Sequence, residues 1–170
     1  CNVNPSKVFE SPDVKTIYSI PLVLHKQNFD KIIVDRLGLN KSKRHSNIKR
    51  LENFIYRYSN PKSVVQVAIC GKYNGLHDAY KSILEALIHA GVDNFVRVNI
   101  KWVDTEKLEK EENINKVFEN IDGVIIPGGF GNRGIEGKIL SAKYARNNSV
   151  PFLGICLGLQ CAVIDYARHK

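Results

Sequence analysis

The stretch Val150-Pro151-Phe152-Leu153-Gly154-Ile155-Cys156-Leu157-Gly158-Leu159-Gln160 joins an apolar, strand-like run to an apolar, helix-like one through a cysteine set between two glycines. This is the spacing of a G-x-nucleophile-x-G elbow, where small neighbours let backbone pass close by while the nucleophile projects from a strained bend at the sheet edge. A helix beginning just beyond Cys156 favours negative charge on the sulfur, because free amide N–H groups and the helix dipole converge there. The competing reading is a buried cysteine acting as a small hydrophobe, the commoner fate of cysteines. Elbow spacing and strand-to-helix context together favour the nucleophile.

Working outward, the same alternation recurs upstream. A β-branched run over 64–70 stops at Gly71, and Asp78 can cap a helix whose Ala79, Ile83, Ala86, Leu87 and Ala90 form one stripe until Gly91 ends it. A strand over 95–103, a helix over 107–118, a strand over 121–127, a helix over 135–146, a strand over 150–156 and a helix over 157–169 follow. Such alternation with short connections predicts an α/β fold, a mostly parallel sheet with helices on both faces. Chemistry in such sheets sits at the carboxyl ends of strands, which directs attention to 71–77, 104–106, 128–134 and the turn at Cys156.

One of those loops, Pro127-Gly128-Gly129-Phe130-Gly131, exposes backbone N–H groups without side-chain obstruction, as an oxyanion hole requires. If its strand neighbours that of the elbow, the amides of Gly129 and Leu157 could converge on one oxygen. A rival reading is literal, since 129–134 satisfies G-x-G-x-x-G between a strand and a helix. A dinucleotide fingerprint, however, belongs to the first strand-helix unit and expects an acidic residue about 20 positions on. A general base is lacking from the pattern. His169, the one histidine after Cys156, would lie about 20 Å away along a single helix. His77 reads as a loop residue, and His25, His45 and His89 as surface or linker residues. Cys161 and Cys70 read as core.

At 170 residues, 44% hydrophobic and 25% charged, the chain has the composition of a packed domain, or of one domain with a piece of another. It contains no methionine and starts at Cys1, which suggests an excised fragment. No apolar run approaches the roughly 20 residues that span a bilayer, and no membrane role is expected. The four cysteines lack disulfide-scaffold or zinc spacing, so reduced thiols in the cytoplasm and no metal site are expected. The net charge of +8 is concentrated in Lys31, Arg36, Lys41, Lys43, Arg44, Lys49 and Arg50, without the aromatic platform or motif of a nucleic-acid stripe. We read it as a solvated surface and connector. The first forty residues carry Pro5, Pro12 and Pro21, then a helical pattern over 27–37 with Phe29, Ile33 and Leu37 on one face. This looks like the tail of a preceding domain, followed by a polar connector over 40–46 and a second helical pattern over 48–58.

These residues resemble the class I glutamine amidotransferases, and the wider chain is similar to the CTP synthase family. The resemblance rests on Gly71-Lys72-Tyr73 with 78–82 and 85–87, on 127–131 with Arg133-Gly134 and Glu136-Gly137, and on 151–160 with 165–168. It extends upstream through Asp13-Val14, Ile17-Tyr18 and Ile20-Pro21. It implies a flavodoxin-like fold, incomplete at its C-terminal side, divided into the end of a synthetase domain (1–39), an interdomain linker (40–60) and the first part of an amidotransferase domain (61–170). It also implies a cytoplasmic glutamine-hydrolysing ligase that aminates ATP-activated UTP, with Mg2+ accompanying ATP and UTP, GTP as activator and a homotetrameric parent.

By the same resemblance Cys156 would form the glutamyl thioester, and Gly129 with Leu157, Gly158, Leu159 and Gln160 would hold glutamine and its oxyanion. Asp13 and Val14 match a segment that contacts ATP, and Arg133, Gly134 and Glu136 match a loop tied to GTP activation. Leu159 stands where methionine is frequent, a volume-conserving difference. The family's catalytic histidine and glutamate would lie beyond Lys170, so the fragment alone is expected to be inactive.

Overall fold

The computed structural model describes residues 2–39, 47–72 and 77–170. The connector over 40–46, with His45 and the basic residues Lys41, Lys43 and Arg44, falls outside them, as do Tyr73 and the side chains of His77 and Asp78. The chain divides into two compact units, Cys1–Asn60 and Pro61–Lys170.

In the first unit, short 3-10 turns at Pro5–Lys7 and Ile17–Ser19 precede α1 (Ile20–Lys26), α2 (Phe29–Arg36) and α3 (Ile48–Ser59). Pro21 lies in the first turn of α1, where its missing N–H costs nothing. The unit is held by aromatic contacts: Phe9 meets Phe29 edge-on at 4.8 Å, and Tyr18 meets Phe54 at 4.7 Å and Tyr58 at 5.9 Å. Its helices carry no fully buried side chain, in keeping with a segment that has little to pack against. The division differs from the expected 40–60 linker at one point. α3 groups with the first unit through these ring contacts, because Phe54 and Tyr58, four apart, present one apolar stripe.

The second unit contains β1 (Ser63–Gly71), α4 (Lys81–Asp93), β2 (Val96–Asp104), α5 (Thr105–Leu108), α6 (Ile114–Val117), β3 (Gly123–Ile126), α7 (Ile135–Asn147), β4 (Phe152–Gly154) and α8 (Leu157–His169). The four strands form one parallel sheet in the order β2-β1-β3-β4. Helices cover both faces, as the register shows. Ala68, Cys70 and Val103 join Ala142 and Ala145 of α7 in the core, whereas Gly91 of α4 approaches Val98, on the alternate face of β2. β1 is central and its end, Ala68 to Cys70, is fully buried. Strand order reverses between β1 and β3, so the crevice at their carboxyl ends is where such sheets bind ligands.

Three local expectations need correction. Gly91 does not end α4, which runs on to Asp93. A Cβ at Gly91 would lie 2.6 Å from the Val96 carbonyl oxygen, so the glycine lets helix and strand approach. The helix anticipated over 107–118 is two short ones, separated by the polar run 109–113. Asp104 caps the first by accepting from the amides of Glu106 and Lys107, and Asn113 caps the second through that of Lys116. Tyr80, after a 3-10 turn at His77–Tyr80, takes the N-cap position of α4 where Asp78 was expected.

Candidate active site

Cys156 occupies the N-cap position of α8 with φ 52° and ψ −108°, backbone that a residue bearing a Cβ adopts only under strain. Its side chain is exposed. The bend is enforced from both sides. The Ile155 amide donates to the Ile126 carbonyl at 2.9 Å, holding the end of β4 against β3. A Cβ on Gly158 would collide with that same carbonyl oxygen, and one on Gly154 would lie 2.6 Å from the Leu159 amide nitrogen. Both elbow glycines are therefore places where backbone meets backbone, as the spacing predicts. Leu157 opens α8, so its N–H has no partner within the helix to donate to.

The Pro127–Gly131 turn leaves β3 beside this bend. A Cβ on Gly128 would sit 3.5 Å from Cys156 Cβ, which places the diglycine against the sulfur-bearing residue. Two lysines hold the turn from its other side. Lys138 Nζ donates to the Pro127 carbonyl at 3.4 Å, and Lys72 Nζ, just past β1, donates to the Phe130 carbonyl. Glycine amides and an exposed sulfur thus meet at the ends of β3 and β4, two of the requirements of an acyl-transfer site.

Comparison with known proteins identifies the family of this unit. The family described as Glutamine amidotransferase class-I matches residues 76–169. The chain belongs to the class-I glutamine amidotransferases. The family described as CTP synthase N-terminus matches residues 1–39. Over 99% of its length the chain is 48% identical to CTP synthase of Syntrophus aciditrophicus and 47% identical to that of Methanocaldococcus jannaschii. It spans 31% and 32% of those proteins, about a third of the curated relatives it matches. The solved glutaminase domain of Trypanosoma brucei CTPS with bound acivicin is similar at TM-score 0.56 and 41% identity, covering 61% of this chain and 40% of that one.

The remaining site candidates fall in different places. Leu159 and Gln160 are exposed on the first turn of α8, beside Cys156, while Gly158 is buried against β3. Gly134 has φ 74° and N-caps α7, and a Cβ there would strike the buried Thr105 hydroxyl. Arg133 Nε lies 3.6 Å from Glu106 Oε1. Glu136 accepts two bonds from Arg168, at 2.7 and 3.0 Å, which hold its carboxyl below the usual range. Asp13 is exposed and Val14 half-buried in the first unit.

The buried pair Cys70 and Cys161 pack as expected. Burial pushes the Cys70 thiol up to about 12 and raises that of Cys161 as well. Lys138 and Lys72 had no role assigned from sequence. A signal for Lys138 existed, because it shares the i, i+4, i+7 stripe of α7 with Ala142 and Ala145, where a charge is out of place. Among the described residues, no three His, Cys, Asp or Glu side chains come together as a metal would need, and no helix is long and apolar enough to cross a membrane.

Proposed function

We propose that this chain supplies the nucleophile and oxyanion hole with which a CTP synthase hydrolyses glutamine. The observation that carries the reading is the exposed, strained Cys156 held against the Pro127–Gly129 turn at the carboxyl ends of β3 and β4. Cys156 Sγ attacks the side-chain amide carbonyl of glutamine, and the negative charge that develops on oxygen is met by the amides of Gly129 and Leu157. Collapse breaks the C–N bond, releases ammonia and leaves a γ-glutamyl thioester. Water then cleaves the thioester to glutamate and restores the thiol. Leu159 and Gln160 line the approach to the sulfur.

The rest of the reading comes from the relatives. The ammonia would aminate UTP activated by ATP, with Mg2+ accompanying the nucleotides. The described residues offer no cluster suited to Mg2+, and no step here depends on it. Asp13 and Val14 would contact ATP, Arg133, Gly134 and Glu136 would transmit activation by GTP, and the working protein would be a homotetramer in the cytoplasm. The proton transfers need a base, and His169 at the far end of α8 is too distant to provide it.

Glutamine-dependent ammonia release tests the proposal. The full-length protein should turn over, Cys156→Ala should lower its rate by about 10⁴-fold or more, and residues 1–170 alone should not turn over. Sustained release by Cys156→Ala would overturn the assignment of the nucleophile. Turnover by residues 1–170 would show that the base lies among them.

A further inference from the structure

Lys138 is the fourth residue of α7 and is 2% exposed, although it carries an ammonium group. Lysine is almost never buried to this degree unless paired. The groups that act on its charge are three thiols, Cys161, Cys70 and Cys156, and a second lysine, Lys72. Desolvation pushes the ammonium below its ordinary range. Packing alone does not call for this residue, since methionine would fill the same stem volume without a charge to desolvate.

The ammonium is directed at the Pro127–Gly129 turn. It donates to the Pro127 carbonyl at 3.4 Å, and a Cβ on Gly129 would lie 3.5 Å from it. A trans peptide turns as one plane, so a held Pro127 carbonyl fixes where the Gly128 N–H points and where the chain delivers Gly129. Gly128 is also the residue whose absent Cβ leaves 3.5 Å to Cys156 Cβ. At the other end of the turn, Lys72 Nζ bonds the Phe130 carbonyl. The turn is clamped at both ends, and the Pro127 clamp is the buried one.

We propose that Lys138 is a positioning residue for amide hydrolysis, holding the Pro127 carbonyl so that the Gly129 amide faces the oxygen that becomes negative above Cys156. This rests on the glutamine-hydrolysing reading given above.

Two electrophiles separate positioning from general stability. A glutamine-shaped chloromethyl ketone, with COCH2Cl in place of the side-chain amide, reacts through a tetrahedral oxyanion. Iodoacetamide alkylates by direct displacement and forms none. In the full-length protein, Lys138→Met should slow chloroketone labelling of Cys156 about tenfold or more, less than the 10²–10³-fold loss from deleting an oxyanion donor. Its iodoacetamide labelling of Cys156, which reports only the thiolate and forms no oxyanion, should fall by much less, so the ratio of the two rates is the readout. Lys138→Gln, which keeps a donor, should recover part of the chloroketone rate. Integrity of the fold is read from Cys70 and Cys161, which stay unlabelled while it persists. Lys138→Leu replaces Lys138→Met should the latter label at those buried sites. A folded, donor-less variant with both rates unchanged, or with both lowered equally, overturns the proposal. A wild-type protein whose Cys156 takes iodoacetamide but ignores the chloroketone strikes the glutamine reading instead.

Discussion

Cys70 and Cys156 stand at the same carboxyl edge of one parallel sheet, each following an apolar run and each close to glycine, yet they are opposite kinds of cysteine. Cys70 continues the regular extension of β1 and is fully buried, with its thiol pushed up to about 12 by desolvation, an effect partly offset by Ser141 and Lys138. Cys156 lies two residues beyond β4, in backbone with φ 52°, and reaches solvent. The adjacent glycines differ in what they make room for. Gly71 leaves space for the Tyr80 side chain, whose hydroxyl oxygen an added Cβ would strike. Gly158 leaves space for the main chain of β3. A glycine beside a cysteine is therefore not a nucleophile signature. The signature is a pair of glycines that let two backbones cross while the chain reverses.

The largest effect should come from removing that crossing. In Gly158→Ala the new methyl meets the Ile126 carbonyl, which cannot move without distorting β3, so the unit should lose about 3 kcal/mol or more, the upper end of overpacking costs. The gain in helix propensity, about 1 kcal/mol, offsets only part of this. Gly71→Ala meets the end of the buried Tyr80 side chain rather than main chain and should cost less, about 1–2 kcal/mol. Urea unfolding of both variants measures the gap. Equal losses would mean that the elbow is no more constrained than the end of β1.

That contrast also marks what could be read in the sequence. The parallel sheet and the bounds of α8 were legible because apolar period and β-branched runs report burial directly. The elbow was legible because its steric demand leaves only glycine at two fixed positions. Gly91 was misread for the same reason it matters: a glycine late in a helix looks like a stop, and only the nearness of Val96 shows it to be a contact. The break between α5 and α6 was hidden because no glycine or proline marks it between Thr105 and Asn120, while the caps at Asp104 and Asn113 decide the outcome. Lys138 was missed because its partner is a carbonyl on another element, which no local pattern encodes.

Alkaline pH sharpens the comparison next. Cys70 has a raised folded-state pKa, so below the unfolded thiol value near 9 its contribution is fully present. Above that value the unfolded chain releases the proton first, and stability should fall by roughly 1.4 kcal/mol per pH unit. The loss should continue until pH reaches the folded value of about 12. Lys138, with its pKa lowered by burial, pulls the other way over part of that range. The measurement is therefore the difference between wild type and Cys70→Ala, in which the lysine contribution largely cancels. A difference that does not change with pH would show that the Cys70 thiol is not desolvated.

The smallest effects concern how the helix behind Cys156 is tied down. Two bidentate pairs join α8 to α7: Asp165 accepts from Arg146 at 2.8 and 3.3 Å, and Glu136 accepts from Arg168 at 2.7 and 3.0 Å. Their geometry is alike but their settings are not, since the Asp165 side chain is 7% exposed and that of Glu136 57%. An exposed pair gives up little, because water replaces each partner and salt screens the attraction. A buried carboxylate is different, because truncating Asp165 also opens the packed seam between α7 and α8 while half-buried Arg146 loses two bonds. Asp165→Ala should therefore lower the melting midpoint by roughly 5 °C and Glu136→Ala by about 1 °C, with only the latter shift vanishing in high salt. The carboxyl of Glu136 is held below its ordinary range by Arg168, so its share of stability is present above the ordinary glutamate pKa and disappears as pH falls through the lowered one. If Glu136→Ala instead proved the more damaging variant at neutral pH, α8 would be anchored chiefly from its exposed side, and the elbow would depend on a contact that solvent reaches.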